Sequence, residues 1–466
     1  MRIVVCVRPS LSGDIGPFDA AAYESALRIP DSEVILLSMA PESGKTVLES
    51  LTRLGAKEAY LLCDRSFAGS DTLATTYILS LALARLCPDL VFCGRQTMEG
   101  DTAQVGPGLA TRMNYSLMTQ VMEISQIGKT SILCADRSGE KRELPFPALL
   151  TFERICPLRF PGIFSKVGNV TVLDRAALGA ERERCGLLGS PTQVCSSKHI
   201  EPETRRCTFI EARDFDKTLH ECLATPHAGS QKQIPNGKKL KNVWIVGENA
   251  EKFAQSISDD IHLFPLGDPK TMAECIKRDN PSVVLWESTP RAKEVAAAVA
   301  VLLGLGLCAD CTMLETDGET LLMYRPAFAG NVIAAITSRT RPAMATVHTI
   351  ENCGEQLIFS LGLGAKGLEN ACRQLADNYH AGLSASRGMV DAGRLPYSAQ
   401  IGLTGRIISP QVYVALGISG AVHHIVGMRN SCRVIAVNED KNAPIFDYAD
   451  YGIVCSLEEF LKTNIK

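Results

Sequence analysis

Val412-Tyr-Val-Ala-Leu-Gly-Ile-Ser-Gly-Ala-Val-His-His424 joins a short apolar run to a turn of small residues and then to the start of a helix. The run is short and rich in β-branched and aromatic residues, so it reads as a buried strand, Val412–Leu416. Gly417, Ser419 and Gly420 then put small residues where the helix opens. Free N–H groups and the helix dipole at such a point favour an anion, and the turn can seat a pyrophosphate. Alone it is as readily a packing feature, because glycine also permits close backbone approach.

Neighbouring pieces have the same character. Ser384-Ala-Ser-Arg-Gly-Met-Val-Asp-Ala-Gly393 places Ser386, Arg387 and Asp391 at the end of a predicted strand. Gln400-Ile-Gly-Leu-Thr-Gly-Arg406 is a turn flanked by Gly402 and Gly405 that can present N–H groups and the Thr404 hydroxyl. Arg387 alone would be a surface charge, and His424 a core histidine with a backbone partner. With a strand at Gln356–Ser360 and a helix at Leu368–Tyr379, they form one open α/β unit, 355–466, that argues for a dinucleotide cofactor. Composition and spacing do not say which.

Upstream, strand and helix alternate. Ile3–Val7, Glu33–Ser38, Ala59–Cys63 and Leu90–Cys93 read as strands; Ala20–Arg28, Gly44–Leu54 and Asp71–Leu86 read as helices, giving a mainly parallel sheet. An echo follows. Pro88-Asp-Leu-Val-Phe precedes a polar loop and Val105-Gly-Pro-Gly-Leu, and Pro281-Ser-Val-Val-Leu precedes a polar loop and Val295-Ala-Ala-Ala-Val. The predicted fold class is therefore α/β, with two related nucleotide-binding-like domains at 1–213 and 241–350 and the C-terminal open-sheet domain. Residues 214–240, polar and turn-rich, are expected to be a linker.

The formal net charge of −3 argues against nucleic acid as a partner. The apolar stretch Val295–Ala309 is too short to span a bilayer and reads as a buried helix. Met1-Arg-Ile-Val-Val-Cys-Val reads as a strand rather than a targeting signal, so a soluble, cytoplasmic protein is expected. The seventeen cysteines are scattered through apolar segments and read as reduced core thiols, with Cys308 and Cys311 a structural pair and no metal site.

Taken in order, Ser386–Gly393, Gln400–Arg406, Gly417–His424, Asn438 and Ala443–Gly452 resemble the FAD domain of electron-transferring flavoprotein α subunits. Leu305–Thr312, Arg325–Asn331 and Arg341–Val347 resemble the first domain of that subunit, shortened here. Phe67–Tyr77, Cys93–Pro107, Pro145–Thr151 and Gly189–Thr192 resemble the β subunit. The resemblance implies both subunits fused in one chain, with FAD in the C-terminal domain. It places Arg387 and His424 near the isoalloxazine, Thr404 at N5, Gln400 and Ser419 on ribityl and phosphate groups, and Asn438 toward the adenosine. The chain departs from the family at Leu363, Leu403 and Ser456, where the family has Arg, Gln and Asp, and weaker FAD binding is expected there.

In the N-terminal half, Ser70, Asp71, Thr72, Thr75, Gly94, Gln96, Asp101, Thr102, Gln104, Val105 and Gly106 stand where the family binds either AMP or a second FAD. The bland reading makes Asp101 the N-cap of the next helix. The wording of Gly69–Thr75 and Asp101–Gln104 resembles the electron-bifurcating group, which favours FAD. That implies NADH as donor, an acyl-CoA dehydrogenase-like flavoprotein and ferredoxin or flavodoxin as acceptors, docking through Leu173–Cys195, and a hinge near 348–356. The alternatives are a one-FAD shuttle with structural AMP and a degenerate member with a scaffolding or regulatory role.

Overall fold

The computed structural model describes residues 1–466 except 11–12, 98, 200–203, 225–237, 328–331, 348–355, 403–404 and 466. These residues fall into two compact units, one built from 1–198 and 238–347, the other from 204–224 and 356–465. The expected hinge lies outside the described residues.

In the first unit, a nine-stranded sheet runs in the order Lys141–Pro145, Ser131–Asp136, Ser116–Ile127, Ala148–Phe152, Leu90–Gly94, Arg2–Cys6, Glu33–Met39, Glu58–Leu62, Asn169–Leu173. The pairs from Ser116–Ile127 through to Asn169–Leu173 are parallel. Both faces are covered, which explains why Arg2–Cys6 reads as an unbroken apolar run. Ile3 and Val5 enter one core cluster, while Val4 and Cys6 enter the other.

The echo seen in the sequence is a duplicated topology. A second parallel sheet in this unit runs Ile261–Leu263, Val243–Val246, Val283–Glu287, Ala343–Val347, Leu307–Cys311. In both sheets a strand is followed by a helix, Leu90–Gly94 by Val105–Met113 and Val283–Glu287 by Pro290–Leu303. Both carry a bulge at a left-handed residue, Gln120 or Asp310. Each of those residues donates its N–H to a threonine hydroxyl on the neighbouring strand, Thr151 at 3.1 Å and Thr346 at 2.7 Å. The stretch Val295–Ala309, expected as one helix, divides: Gly304, at φ 68°, caps the helix C-terminus, and the chain turns into the strand Leu307–Cys311. A smaller sheet joins Thr192–His199 to Val332–Ser338, Leu321–Ala327 and Met313–Thr316.

The second unit has one sheet in the order Thr208–Phe209, Tyr451–Val454, Arg433–Asn438, Val412–Leu416, Leu357–Leu361, Gly382–Ala385, with every pair parallel. The boundary expected at 213/214 is corrected by this sheet. Thr208–Phe209 forms its edge strand, and the helix Phe215–Ala224 buries Phe215 and Leu219 in the same core as Phe359 and Phe460. The polarity of 225–237 had hidden the amphipathic segment just before it. No helix among the described residues is long and apolar enough to cross a membrane.

Candidate functional site

A parallel sheet opens a crevice where its strand order reverses, outside the carboxyl ends of the strands. In the first unit the reversal lies between Arg2–Cys6 and Leu90–Gly94. A cavity of about 850 Å³ sits there, lined by both strand ends (Cys6, Arg8, Cys93, Arg95), by the start of the helix Thr72–Leu86, and by Arg325 from the duplicated half. Its volume falls within the range of small-molecule sites, roughly 300–1,000 Å³.

Asp19 braces the crevice. Its carboxylate accepts from Arg8 N at 2.8 Å and from the N–H of Gly94, linking the two strands on either side of the reversal. Burial pushes its pKa up to about 7, against the pull of those two N–H groups. Arg95 pairs at 3.3 Å with Glu153, whose side chain is buried. Arg325 is 6 % exposed and donates to the Asp101 carbonyl at 2.9 Å, while its Nε has no hydrogen-bond partner among the described residues.

Of the residues proposed from sequence, Ser70, Asp71, Thr72, Thr75, Gly94, Gln96, Thr102 and Val105 line the cavity; Asp101, Gln104 and Gly106 do not. Asp101 is no N-cap. It has φ 51°, the helix starts at Val105 with Gln104 before it, and the Asp101 side chain is held by Gln96. Burial raises the Asp101 pKa to about 6. Gln104 is buried against a void of about 20 Å³, and Gly106 is required by packing, since a Cβ there would lie 2.4 Å from Thr151 Cγ2. Asp71 caps the helix Thr72–Leu86 through Ala74 N at 3.0 Å and also accepts from Thr192 N and Oγ1. Arg8, Asp19 and Arg325 were missed as site residues. The only signal for Arg8 was its place near a strand end, and Asp19 stands in a helix start that marks nothing.

The second unit repeats the principle. Its strand order reverses between Leu357–Leu361 and Val412–Leu416, and the loops beyond these strands meet. Gly362 N donates to Leu416 O at 2.8 Å, Gly364 N to Gly417 O at 3.1 Å, and Ser386 N to Leu361 O at 2.8 Å. Gly417 and Gly420 have left-handed backbones. The N–H groups of Ile418, Ser419, Gly420 and Ala421 donate to no partner among the described residues. The turn at Gln400 differs from expectation: Gly402 N, Gly405 N and Arg406 N bond within the turn and are not presented outward. Thr404 and Leu403 lie outside the described residues.

Arg387 pairs with Asp391 at 3.0 Å. Both ends of the Asn438 side chain are engaged, Nδ2 donating to Ile418 O at 2.9 Å and Oδ1 accepting from Asp440 N at 3.0 Å, so it fixes the loop after Val412–Leu416. His424 is 6 % exposed, with Nε2 2.7 Å from the Tyr413 hydroxyl. Burial lowers its pKa to about 4, the Ile401 main chain opposing weakly. Leu363 is exposed beside the reversal, and Ser456 accepts from Glu459 N at 3.3 Å as the cap of the last helix.

The profile of the Electron transfer flavoprotein domain matches residues 3–151 and 261–353, more than half of the chain. The chain belongs to the electron transfer flavoprotein family. The Electron transfer flavoprotein FAD-binding domain matches residues 354–429, which contain the second reversal. Protein FixA of Azotobacter vinelandii is 36% identical over 251 residues, covering 49% of this chain and 89% of FixA. The electron transfer flavoprotein subunit alpha of Thermoanaerobacterium thermosaccharolyticum is 35% identical over 281 residues, 48% of this chain and 85% of that protein. The acryloyl-CoA reductase electron transfer subunit beta of Anaerotignum propionicum is 31% identical over 262 residues, 40% of this chain and 71% of its own length.

The residues of the second unit fit the FAD that this family carries. Four uncommitted N–H groups at the reversal suit a diphosphate. His424 is held in place by the Tyr413 hydroxyl and the Ile401 main chain. When bound, FAD supplies the one- and two-electron chemistry, and the protein supplies orientation and electrostatics.

Proposed function

We propose that this electron transfer flavoprotein is of the bifurcating type, holding FAD in the C-terminal unit and a second FAD in the N-terminal cavity. The observation that carries this reading is the cavity of about 850 Å³ at the first reversal, which has room for a dinucleotide beyond an adenine mononucleotide. The N-terminus of the long helix Thr72–Leu86 and the uncommitted Arg325 Nε would receive the anionic part of the ligand. Asp19 and Asp71 hold the walls of the cavity in place through main-chain N–H groups. NADH is the proposed donor, with an acyl-CoA dehydrogenase-like flavoprotein and ferredoxin or flavodoxin as acceptors. The name of the Anaerotignum propionicum relative, an acryloyl-CoA reductase subunit, supports the first acceptor.

The docking surface proposed from sequence extends beyond Leu173–Cys195, within which Leu187 and Leu188 are exposed. Within Leu173–Cys195, the segment proposed from sequence, Thr192 and Val194 belong to a sheet strand. The most exposed apolar side chains lie just before it: Phe160, Ile163 and Phe164 are 92%, 90% and 94% exposed. Aromatic anchors presented this way are the ordinary material of a protein interface.

The test is the flavin and nucleotide content of the purified chain, by absorbance and by chromatography of released ligands. Two FAD per chain supports the proposal. One FAD with AMP leaves the simple shuttle, and a chain that takes up no flavin from added FAD leaves a scaffolding role.

A further inference from the structure

Two thiols meet at the reversal of the first sheet. Cys6 ends the strand Arg2–Cys6, and Cys93 lies one residue before the end of Leu90–Gly94. The two are register partners in a parallel pair, so their side chains leave the sheet on the same face and enter the same core cluster. Neighbouring strands run roughly 4.8 Å apart. A disulfide needs a Cα separation of about 4.4–6.8 Å, so directly opposed cysteines meet that requirement. Here both are reduced, and their thiols are in hydrogen-bond contact.

Their surroundings set them apart from the other cysteines. Both border the cavity of about 850 Å³. Cys134, Cys222 and Cys372 are buried away from it. Cys308 borders it, but Cys311, the thiol that Cys308 contacts, does not; Cys63 borders it from just past a separate strand end. Cys6 and Cys93 are thus, among the described residues, a hydrogen-bonded thiol pair with both members on the cavity wall. The contact also divides their tasks. The hydrogen bond with Cys6, and then burial, push the Cys93 thiol well above its ordinary range, so Cys93 keeps its proton and Cys6 is left as the nucleophile.

We propose that Cys6 and Cys93 form a peroxide-sensitive dithiol that closes to a disulfide when the cavity is empty, and that a nucleotide in the cavity shields it. The Cys6 thiolate attacks one oxygen of hydrogen peroxide; the O–O bond breaks, and the departing hydroxide takes up a proton to leave as water. The sulfur of Cys6 is then a sulfenic acid. Cys93 attacks that sulfur, the S–O bond breaks, the S–S bond forms and a second water leaves with the Cys93 proton. In sum, two thiols lose two hydrogens and two electrons, and one peroxide becomes two waters. Hydrogen peroxide, little larger than water, reaches both sulfurs through the cavity. The disulfide is a property of the chain itself, and its shielding rests on the reading of the cavity as a nucleotide site. The coupling is reciprocal: to the extent that nucleotide opposes the disulfide, the disulfide weakens nucleotide binding by the same factor.

For the test, the full chain, freed of bound nucleotide and fully reduced, is treated with hydrogen peroxide. Its remaining thiols are blocked with iodoacetamide, and the peptides are read by mass spectrometry. The expected product joins the peptides of Cys6 and Cys93 and is two hydrogens lighter than their sum. Both cysteines still alkylated after the exposed Cys87 and Cys195 are oxidised overturns the proposal without any variant having to fold. A link from either one to another cysteine does the same. Cys93→Ser is expected to stop at a Cys6 sulfenic acid, trapped by dimedone. Equal trapping on Cys93 in Cys6→Ser overturns the division of tasks.

AMP, which has no redox chemistry of its own, tests the shielding. At ten times its Kd about a tenth of the cavities stay empty, so closure is expected to slow about tenfold. An unchanged rate in a chain that binds AMP overturns the shielding. A chain that takes up no AMP and still closes overturns the nucleotide reading of the cavity, and the dithiol stands.

Discussion

Asp19 and His424 are both buried ionisable groups, and burial acts on their folding energetics with opposite sign. The Asp19 pKa is raised to about 7 in the folded chain, so its contribution is fully present below the unfolded value near 3.8 and is lost as pH rises through 7. His424 is lowered to about 4, so the unfolded chain binds the extra proton between pH 4 and 6.5, and stability is lost as pH falls through that window. Each shift corresponds to on the order of 3 kcal/mol. Asp19→Asn keeps an acceptor for Arg8 N, and it should remove the loss of stability of the first unit between pH 4 and 7. Urea unfolding at several pH values, read by a probe in that unit, checks this; an unchanged pH slope would refute it. Little of this was legible in the sequence. Asp19 stands in an ordinary helix start, and its burial depends on two strand ends distant in the chain. His424 was expected as a site residue from the resemblance, but its neutrality comes from burial in the core, which no motif states.

Helices and strands were far more legible than their tertiary attachments. The runs Ile3–Val7 and Asp71–Leu86 announced their elements because both faces of the sheet are covered and because Asp71 is a strong cap. The second role of Asp71, tying Thr192 to that cap, could not be read, since Thr192 arrives from the end of the N-terminal half. Asp71→Ala is therefore expected to cost more than an isolated cap, roughly 2 kcal/mol or above, as a lowered midpoint in denaturant. Asp71→Asn should recover part of it. Gly106→Ala tests the contact between the helix Val105–Met113 and the sheet: its Cβ would overlap Thr151, and overpacking of this kind costs about 1–3 kcal/mol. Gly106 was proposed from sequence as a ligand residue. Its close approach to the sheet is a sufficient reason for the glycine, as the bland reading of such turns holds.

For the molecule as a whole, the number of related α/β pieces was legible from the repeated strand–loop–helix pattern, but the membership of 204–224 was not. The segment follows the N-terminal half in sequence and packs with the C-terminal sheet. Two functional outcomes belong to this scale. Leu363→Arg places a cation beside the second reversal and should tighten FAD binding several-fold, measured by quenching of flavin fluorescence; no change would show that the leucine is not what limits affinity. Phe164→Ser should slow electron delivery to a flavoprotein partner at least tenfold in KM-limited conditions while the flavin content stays the same, the size expected for an interface anchor. The interleaving of the chain has a last consequence for how such a gene can be divided. A cut anywhere in 225–237 would leave the edge strand Thr208–Phe209 and the helix Phe215–Ala224 on the first fragment, and the sheet they complete on the second. The strand Thr192–His199 would likewise be severed from its neighbour Val332–Ser338. Each fragment would carry a piece of the other's fold, so co-expressed fragments should find each other as obligate complements, and neither should be recovered alone in soluble form.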